Sequence, residues 1–392
     1  MIKEDAAVLL DLNPNELSSF EEVDTFNGNL VKGFLSHHTD YRYGALVIFE
    51  VNSQPVPIQK IFCTPKLHYP FGKTEKDERK YNHDVNDYED LVVYEKLDGT
   101  NICAFSYADN DKRYQSFKTR LTPFLKDNKY ACFTKLWAEM MGKYSDIVKI
   151  DNVLSGEYSV CFELYGYRNP LTVSYNTPLD IRFLFAVKQN DHSVVPPKYF
   201  DGLTDFRLPE VPVAGNTFVD KYEAMRQYVT DNSVVGEDGM VKSTDGDGME
   251  GYIFYTKIAD VWHQYKCKSA QMEEHSWAAG GIPYVSILTT AWNALESCGG
   301  DLTEEYVKTL LMEEFTNEQI GRADNKITKA VKEVLVKLAF RTKVLDLYDK
   351  SGLKYKFDGA NKGTIMRYLS KYFNRTEMAG VYNALKETGI LS

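Results

Sequence analysis

The tetrapeptide Lys96-Leu97-Asp98-Gly99 places a lysine between two apolar runs, residues 91–94 and residues 102–107. Both runs predict β-strands, so Lys96 is expected at the edge of a sheet. Gly99 would let a ligand approach the backbone closely. Lysine attacks electrophiles when desolvation or cationic neighbours lower its pKa. Lys96 is therefore a candidate nucleophile; the alternative is a solvated lysine in a turn.

Two further lysines, Lys266 and Lys268, flank Cys267 in a predicted strand over residues 261–269. Side chains alternate along a strand, so both lysines should share one face while Tyr265 and Cys267 occupy the other. Two ammonium groups on one face repel each other unless an anion lies between them. A phosphate group is the natural ligand for such a pair.

Two glutamates interrupt or border predicted strands. Glu163 lies in the otherwise apolar segment 158–166, and Glu250 precedes Gly251 at the start of another apolar run. A carboxylate in an apolar strand is costly to bury unless it binds a metal, a cation or a hydroxyl. Each residue alone could lie on the solvent side of an edge strand. Together the three lysines and the two glutamates predict a site with a lysine nucleophile, two cations for a phosphate, and two carboxylates that could hold a divalent ion or a ribose.

The length of 392 residues predicts two or three domains, and a hydrophobic content of 43% is ample for a packed core. The net charge of −10 shows no overall basic character typical of nucleic-acid-binding proteins. The charge is unevenly distributed: residues 326–392 carry 14 Lys and Arg against 6 Asp and Glu, which gives +8 there and −18 elsewhere. The tail and the rest of the chain are therefore expected to have different partners.

The six cysteines form no CxxC pair, and no cysteine–histidine cluster has zinc-finger spacing. Free, mostly buried thiols are expected, which suits a reducing compartment. The charged N-terminus does not resemble a signal peptide, and no run reaches 18 apolar residues. We expect a cytoplasmic, monomeric protein without membrane contact; for a viral protein this would be the host cytoplasm.

Hydrophobic periodicity divides the chain into two parts. A period of two predominates before residue 271, with the predicted strands 45–51, 91–94, 101–107, 114–120, 158–166, 181–187, 249–255 and 261–269 and predicted helices at 124–144 and 220–230. After residue 271 the period becomes 3.6, with predicted helices near 283–297, 302–315, 325–348, 361–373 and 377–387. The fold class is therefore α+β, with a catalytic domain over 1–278 and an all-helical domain over 279–392.

The order of these motifs resembles the covalent nucleotidyltransferases, the superfamily of polynucleotide ligases and mRNA capping enzymes. In that family Lys-x-Asp-Gly, a strand glutamate, Glu-Gly and Lys-x-Lys follow one another, as Lys96, Glu163, Glu250 and Lys266 do here. The sequence is most similar to the ATP-dependent RNA ligase 1 family of tRNA-repair enzymes from bacteriophages. The resemblance runs from about Arg42 to Ser269 and implies an N-terminal domain of ATP-grasp-like antiparallel sheets with flanking helices.

The resemblance also implies roles for individual residues. Lys96 would form a covalent lysyl-AMP with ATP, beside Asp98 and Gly99, and Lys266 and Lys268 would bind the α-phosphate and support catalysis. Glu163 would hold the ribose or a metal, and Glu250 would place Mg²⁺, with Mn²⁺ as an alternative. Three looser matches complete the nucleotide site: Arg42 and Lys66 for the leaving pyrophosphate, and Arg120 for the ribose or phosphate.

The reaction implied is RNA ligation: AMP passes from the lysine to an RNA 5′-phosphate, and an RNA 3′-hydroxyl then displaces it. The RNA would be a broken strand such as a tRNA. Two other classes remain open, namely a DNA ligase or GTP-dependent capping enzyme on the same scaffold, and a catalytically degenerate nucleic-acid-binding protein. Arg322-Ala323-Asp324-Asn325-Lys326 resembles a later motif of DNA ligases, but it falls among predicted helices and is interpreted as a chance match at a helix start.

The basic tail is the candidate RNA-binding surface. Phosphate binding needs clustered cations, and a catalytic part with a charge of −18 has few to spare. A purely structural helical module is the alternative. We expect the tail to govern RNA affinity and to be dispensable for lysyl-AMP formation. The candidate cations are Lys329, Lys332, Arg341, Lys343, Lys354, Lys356, Lys362, Arg367 and Lys371.

Overall fold

The computed structural model describes residues 1–73, 79–110, 112–127, 132–169, 173–235, 241–243, 249–269, 282, 284–297, 302–311, 315, 317–353 and 362–391. The strands are β1 (Leu17–Val23), β2 (Leu30–Ser36), β3 (Leu46–Val51), β4 (Gln54–Ile61), β5 (Phe71–Lys73), β6 (Arg79–Tyr81), β7 (Asp90–Lys96), β8 (Thr100–Ala108), β9 (Arg113–Lys118), β10 (Tyr158–Tyr165), β11 (Asp180–Lys188), β12 (Val194–Val195), β13 (Ser233–Val235), β14 (Val241–Ser243), β15 (Gly251–Ile258) and β16 (Val261–Lys268). The helices are α1 (Lys3–Leu10), α2 (Phe133–Lys143), α3 (Asp151–Leu154), α4 (Phe218–Asn232), α5 (Tyr284–Ser297), α6 (Glu304–Leu311), α7 (Asn317–Arg322), α8 (Asp324–Lys350), α9 (Lys362–Leu369) and α10 (Met378–Glu387).

Three antiparallel sheets build the N-terminal part. The first has the order β1-β2-β3-β4, the second β12-β11-β10-β8-β9, and the third β16-β15-β7. We call them the N-terminal, the five-stranded and the three-stranded sheet. Short hairpins β5-β6 and β13-β14 accompany them.

The five-stranded sheet is buried on both faces, which explains its nearly continuous apolar strands. Along β8, Ile102 and Ala104 pack on one side with α2 and α3, whereas Cys103, Phe105 and Tyr107 point to the other side. That second side faces side chains of the N-terminal and three-stranded sheets. The five-stranded sheet is therefore the middle layer.

The three-stranded sheet is also buried on both faces. Tyr94 of β7 and Ile253 of β15 belong to the core shared with the five-stranded sheet. Their neighbours Val93 and Phe254 pack instead with Tyr222 of α4. Because side chains alternate, Lys96 points to the same side as Tyr94, toward the five-stranded sheet.

Beyond residue 282 the described part of the chain is largely helical. Helices α5 and α6 and the N-terminal half of α8 share one apolar core. The C-terminal half of α8 shares a second core with α9 and α10. The 27-residue helix α8 therefore joins two small helical units.

The structure confirms the α+β class, with antiparallel sheets first and a largely helical region after them. The strands predicted from alternation are all present, and the predicted helix over 124–144 is shorter, spanning Phe133–Lys143. Elements for which the sequence analysis made no prediction include α1, β1 and β2 in residues 1–40 and the β5-β6 hairpin in residues 71–81. The predicted domain boundary at 278–279 lies outside the described residues.

The segment that resembles a late DNA-ligase motif lies at a helix junction, as interpreted. Arg322 ends α7 and Asp324 begins α8. Lys326 donates a hydrogen bond to the carbonyl of Ile282 at 3.1 Å, and Asp324 pairs with Lys308 at 2.6 Å. These residues stabilise the helical region. A search of the described helices finds none with the length and hydropathy of a membrane span.

Candidate active site

The turn that follows Lys96 is fixed by its own motif residues. The carboxylate of Asp98 accepts a hydrogen bond from the backbone N–H of Val173 at 2.7 Å, and the N–H of Asp98 donates to the Tyr175 hydroxyl at 2.8 Å. Asp98 is buried. Asp98 therefore orients the loop that carries Lys96 and does not offer a free carboxylate to a ligand.

Gly99 allows this turn to lie against β10. A Cβ atom at this position would be 2.3 Å from the carbonyl oxygen of Leu164, a distance that side chains do not tolerate. Leu164 is the neighbour of Glu163, so the glycine brings the Lys96 turn and the Glu163 strand together. The glycine serves close packing between two backbone segments.

Lys96, Gly251 and Lys268 occupy one row across the three-stranded sheet, because Gly251 pairs with Lys96 on β7 and with Lys268 on β16. Glu250, just before Gly251, lies between the two lysines. Lys96 Nζ donates a hydrogen bond to Glu250 Oε2, and Lys268 Nζ lies 3.1 Å from Glu250 Oε1. A Cβ atom on Gly251 would lie 2.0 Å from the carbonyl oxygen of Cys267, so only glycine fits beside this carboxylate.

Glu250 is held as a carboxylate. Its side chain is 5% exposed, and burial alone would raise its pKa. The positive charges and hydrogen bonds of Lys96 and Lys268 outweigh burial and lower the pKa of Glu250 below its ordinary value. Glu250 is thus buried between two half-buried lysines, and the three side chains stabilise one another.

The alternation predicted for β16 is confirmed. Lys266 and Lys268 line the same cavity, whereas Tyr265 and Cys267 pack into the core around α4. Lys266 Nζ lies 4.5 Å from the ring centre of Tyr69. This aromatic contact keeps a buried ammonium group next to the cavity.

Glu163 lies on β10, on the face that looks toward the three-stranded sheet. Burial raises its pKa to about 8, despite the opposing effect of Lys96 and Arg120. Asp98 and Glu250 add to the increase because like charges disfavour a further carboxylate. Near neutral pH the side chain is therefore mostly protonated and can both donate and accept a hydrogen bond.

Lys66 and Arg120 converge on Tyr43. Lys66 Nζ lies 5.5 Å and Arg120 Cζ lies 5.6 Å from the centre of its ring. Tyr43 is only 2% exposed, and Arg120 Nε is a buried donor without a hydrogen-bond partner. The pair forms a second cationic part of the site, apart from Lys266 and Lys268.

Arg42 is placed differently from the other predicted residues. Its guanidinium group forms hydrogen bonds with both carboxylate oxygens of Asp40 and with the backbone carbonyl oxygens of Leu10 and Asp11. Arg42 does not line the cavity, whereas its neighbour Tyr43 does. In this structure Arg42 joins α1 to the turn before β3, and its predicted contact with pyrophosphate stays a prediction.

All predicted site residues except Arg42 line one cavity of about 270 Å³. The cavity lies where the three-stranded and five-stranded sheets face each other beyond their shared core. Five cations and four carboxyl groups line it, and a search of the described residues finds no group of three or more His, Cys, Asp or Glu that could hold a metal ion. A ligand that pairs with the five cations carries phosphate.

Sequence reasoning missed several lining residues. Tyr43 and Tyr69 carry the aromatic contacts to Lys66, Arg120 and Lys266. Asn101 belongs to the cavity face of β8, and its Oδ1 accepts a hydrogen bond from the Thr64 hydroxyl. Strand alternation alone could have found Asn101, because it lies two residues before the core residue Cys103. The helical residues that line the cavity had no comparable signal.

Residues 89–268 match a family model described as RNA ligase. Residues 89–268 form an RNA ligase domain. The match contains eight of the ten predicted site residues and leaves out Arg42 and Lys66. The prediction of an enzyme is confirmed, because the chain contains an RNA ligase domain. A search of curated proteins finds no match.

Several solved structures are similar to the chain at low identity. An archaeal ATP-dependent RNA ligase is 16% identical, with a TM-score of 0.43, over 84% of this chain and 77% of that one. A Naegleria gruberi RNA ligase in its apo form is 15% identical, with a TM-score of 0.30, over 47% and 51%. A variant of a Naegleria gruberi RNA ligase with ATP and Mn is 14% identical, with a TM-score of 0.31, over 70% and 82%. This chain therefore spans about half the length of the apo Naegleria structure.

Proposed function

We propose that the ligase joins RNA 3′-hydroxyl and 5′-phosphate ends through a lysyl-AMP on Lys96. The observation that carries the proposal is the ion-paired group Lys96–Glu250–Lys268, which lies in one cavity with Lys266 and Glu163. It provides a nucleophile, cations for a phosphate and a carboxylate within a single enclosed site. The RNA ligase domain supplies the substrate class.

In the first step, Lys96 Nζ attacks the α-phosphorus of ATP. A P–N bond forms, the bond between the α-phosphorus and the bridging oxygen to the β-phosphate breaks, and pyrophosphate leaves. Lys96 attacks as the neutral amine, so it must release a proton to water, leave its ion pair with Glu250 and turn toward the phosphate. Lys266 and Lys268 are placed to neutralise charge on the α-phosphate oxygens as it develops.

Glu163 suits a ribose contact. A protonated carboxyl group can donate to one hydroxyl and accept from another, and its pKa of about 8 keeps it in that form near neutral pH. A metal ligand would need the deprotonated form. We therefore assign the ribose to Glu163 and the metal-binding role to Glu250.

A divalent cation fits the site only in part. Mg²⁺ usually takes one or two carboxylates and completes its shell with phosphate oxygens and water. Glu250 provides one carboxylate that is kept ionised and becomes available when Lys96 moves to the phosphate. When bound there, Mg²⁺ or Mn²⁺ would neutralise charge on the triphosphate.

Lys66 and Arg120, arranged around Tyr43, are assigned to the outer phosphates and the ribose edge of ATP. Arg120 Nε, buried without a partner, is the donor that a ligand would satisfy. In the later steps the RNA 5′-phosphate takes AMP from Lys96, and the RNA 3′-hydroxyl then displaces AMP. Both steps reuse the cations that bind the α-phosphate.

We further propose that the protein belongs with the bacteriophage RNA ligase 1 enzymes, repairs broken tRNA and acts in the cytoplasm as a monomer. The motif order and the basic helical tail support the placement, and the five described cysteines, all free, suit a reducing compartment. An RNA with a broken anticodon loop is the substrate to test first.

The direct test is incubation with α-³²P-labelled ATP or GTP and Mg²⁺, followed by a denaturing gel and by ligation of 5′-phosphorylated RNA or DNA. We expect a labelled protein band with ATP only and ligation of RNA. Labelling by GTP would favour a capping enzyme, ligation of DNA alone a DNA ligase, and no labelling at all a degenerate binding protein.

A further inference from the structure

Helix α5 presents a row of uncharged polar side chains to the cavity that contains Lys96. Ser286, Thr289, Thr290 and Asn293 all line it. Their spacing places them on one face of the helix. The helix is thus amphipathic, but its polar face is turned toward the ligase domain.

The opposite face of α5 fixes the helix in the helical region. Ile287, Ala291, Ala294 and Leu295 are buried in the core shared with α6 and α8. Leu311 of α6 belongs to the same core and also lines the cavity. The wall of the cavity formed by α5 is therefore held by packing and does not rest on one side chain.

The two walls of the cavity differ in chemistry. The sheet wall carries five cations and the carboxyl groups of Glu95, Asp98, Glu163 and Glu250, whereas α5 contributes three hydroxyl groups and one amide. Hydroxyl and amide groups donate to phosphate oxygens and accept from hydroxyls without adding charge. Such groups fix the position of a ligand whose negative charge is already neutralised by the cations of the sheet wall.

We propose that the polar face of α5 contacts ATP while Lys96 reacts, so that the helical region takes part in forming the lysyl-AMP. The inference rests on the proposed function, because it places ATP in this cavity. It goes against our expectation that the tail is dispensable for adenylation. ATP with its α-phosphate at Lys96 would lie in the cavity that α5 also lines.

The test uses the full chain and a variant that combines Ser286→Ala, Thr290→Ala and Asn293→Ala. The rate of lysyl-AMP formation is measured against ATP concentration. We expect the apparent KM for ATP to rise by about tenfold or more, as expected for the loss of two or three hydrogen bonds. The maximal rate should change less, because Lys96 and the cations are intact.

Thr309→Ala is the matched control. Thr309 is an exposed residue of α6 that does not line the cavity, and its hydroxyl bonds only within its own helix, to the carbonyl of Glu305. Thermal melts of both variants check folding, and Thr290→Val, which keeps the side-chain shape, is tested if the combined variant melts early.

The outcomes separate this inference from the proposed function. If the wild-type protein forms no lysyl-AMP, the proposed function fails. If it does and the α5 variant matches Thr309→Ala, the α5 inference is wrong. If the α5 variant is impaired only in sealing pre-adenylated RNA, α5 contacts the RNA end and the inference about ATP is also wrong.

Discussion

The positive charges of the ligase cleft and those of the helical tail have different surroundings. In the cleft, Lys96 and Lys268 share the buried Glu250, and Lys266 lies over Tyr69. In the tail, exposed lysines lie over aromatic rings of neighbouring segments, for example Lys343 over Phe373 at 4.6 Å and Lys362 over Tyr382 at 4.0 Å.

Because of this difference, removing one positive charge should have different effects in the cleft and in the tail. A cation in the cleft is held in one position by its carboxylate or aromatic partner. Removing the cation leaves a buried carboxylate without the positive charge that offsets the cost of burying it. An exposed lysine that lies over an aromatic ring contributes little to the free energy of folding. When it is removed, a neighbouring lysine can supply the positive electrostatic potential in its place. Substitutions in the cleft should therefore change chemistry sharply, and substitutions in the tail should change RNA affinity gradually.

The largest effect is expected for Lys96→Ala. Covalent labelling with ATP should disappear, because the variant lacks the nucleophile. Sealing of pre-adenylated RNA should persist, since that step does not need the amine. Lys257→Ala is the matched control: Lys257 lies at the other end of the three-stranded sheet, paired with Glu89 and Asp260. If Lys96→Ala is still labelled, another residue is the nucleophile.

Lys266→Ala and Lys268→Ala should slow adenylation by a factor on the order of 10² to 10³, the size of effect seen when a charge-stabilising group is removed. Rapid-quench measurement of lysyl-AMP formation checks this. Cys267→Ser is the control between them, because Cys267 Sγ faces the carbonyl of Tyr222 and a hydroxyl can donate to the same oxygen. A silent Lys268→Ala beside an inactive Cys267→Ser would contradict the strand register.

Glu163 should make stability depend on pH. Its pKa of about 8 exceeds the ordinary value of 4.5, so the folded state binds more protons than the unfolded state between these values. Stability should therefore be highest at low pH within this window and fall as pH rises toward 8. Between pH 6 and pH 8 the loss should be on the order of 2 kcal/mol.

The comparison variant is Glu163→Gln, which keeps the shape of the side chain and cannot ionise. Urea unfolding of both proteins at pH 6 and pH 8 isolates the contribution of Glu163, because all other groups are shared. The variant should lack the additional pH slope of the wild-type protein. Identical slopes would mean that Glu163 has the same pKa in the folded and unfolded states.

The smallest effects are expected in the tail. Of the candidate RNA-binding cations, Lys329, Lys332, Lys343, Lys362, Arg367 and Lys371 are exposed, Arg341 is half-buried, and Lys354 and Lys356 lie outside the described residues. A single change such as Lys332→Ala should lower RNA affinity about uniformly across sequences and reduce the slope of log K against log salt by about 1. Adenylation should be unchanged. An unchanged salt slope in a variant lacking several of these exposed cations would assign the tail a structural role.

The catalytic face could be predicted because strand alternation is local. The spacing of Lys266 and Lys268 was enough to place both in one cavity, and the cost of burying Glu163 and Glu250 was enough to select them. The order of the motifs then indicated a ligase. These predictions needed only the types of residues that are close in sequence and the two-residue alternation of side chains along a strand.

The remaining features depend on contacts between distant segments. Whether Arg42 or Tyr43 reaches the cavity is decided by the turn at Gly44, where a Cβ atom would lie 2.3 Å from the carbonyl of Arg120, far along the chain. The placement of α5 at the cavity that contains Lys96 depends on how the helical region packs against the sheets. No local pattern in residues 284–297 shows which surface the polar face meets.

The most direct test of the central claim is to locate AMP on the protein. The wild-type enzyme is incubated with ATP and Mg²⁺, digested at a pH that preserves the P–N bond, and its peptides are examined by mass spectrometry. We expect AMP on Lys96 and on no other lysine of the cleft. AMP on Lys66, Lys266 or Lys268, with Lys96 unmodified, would contradict the assignment of Lys96 as the nucleophile.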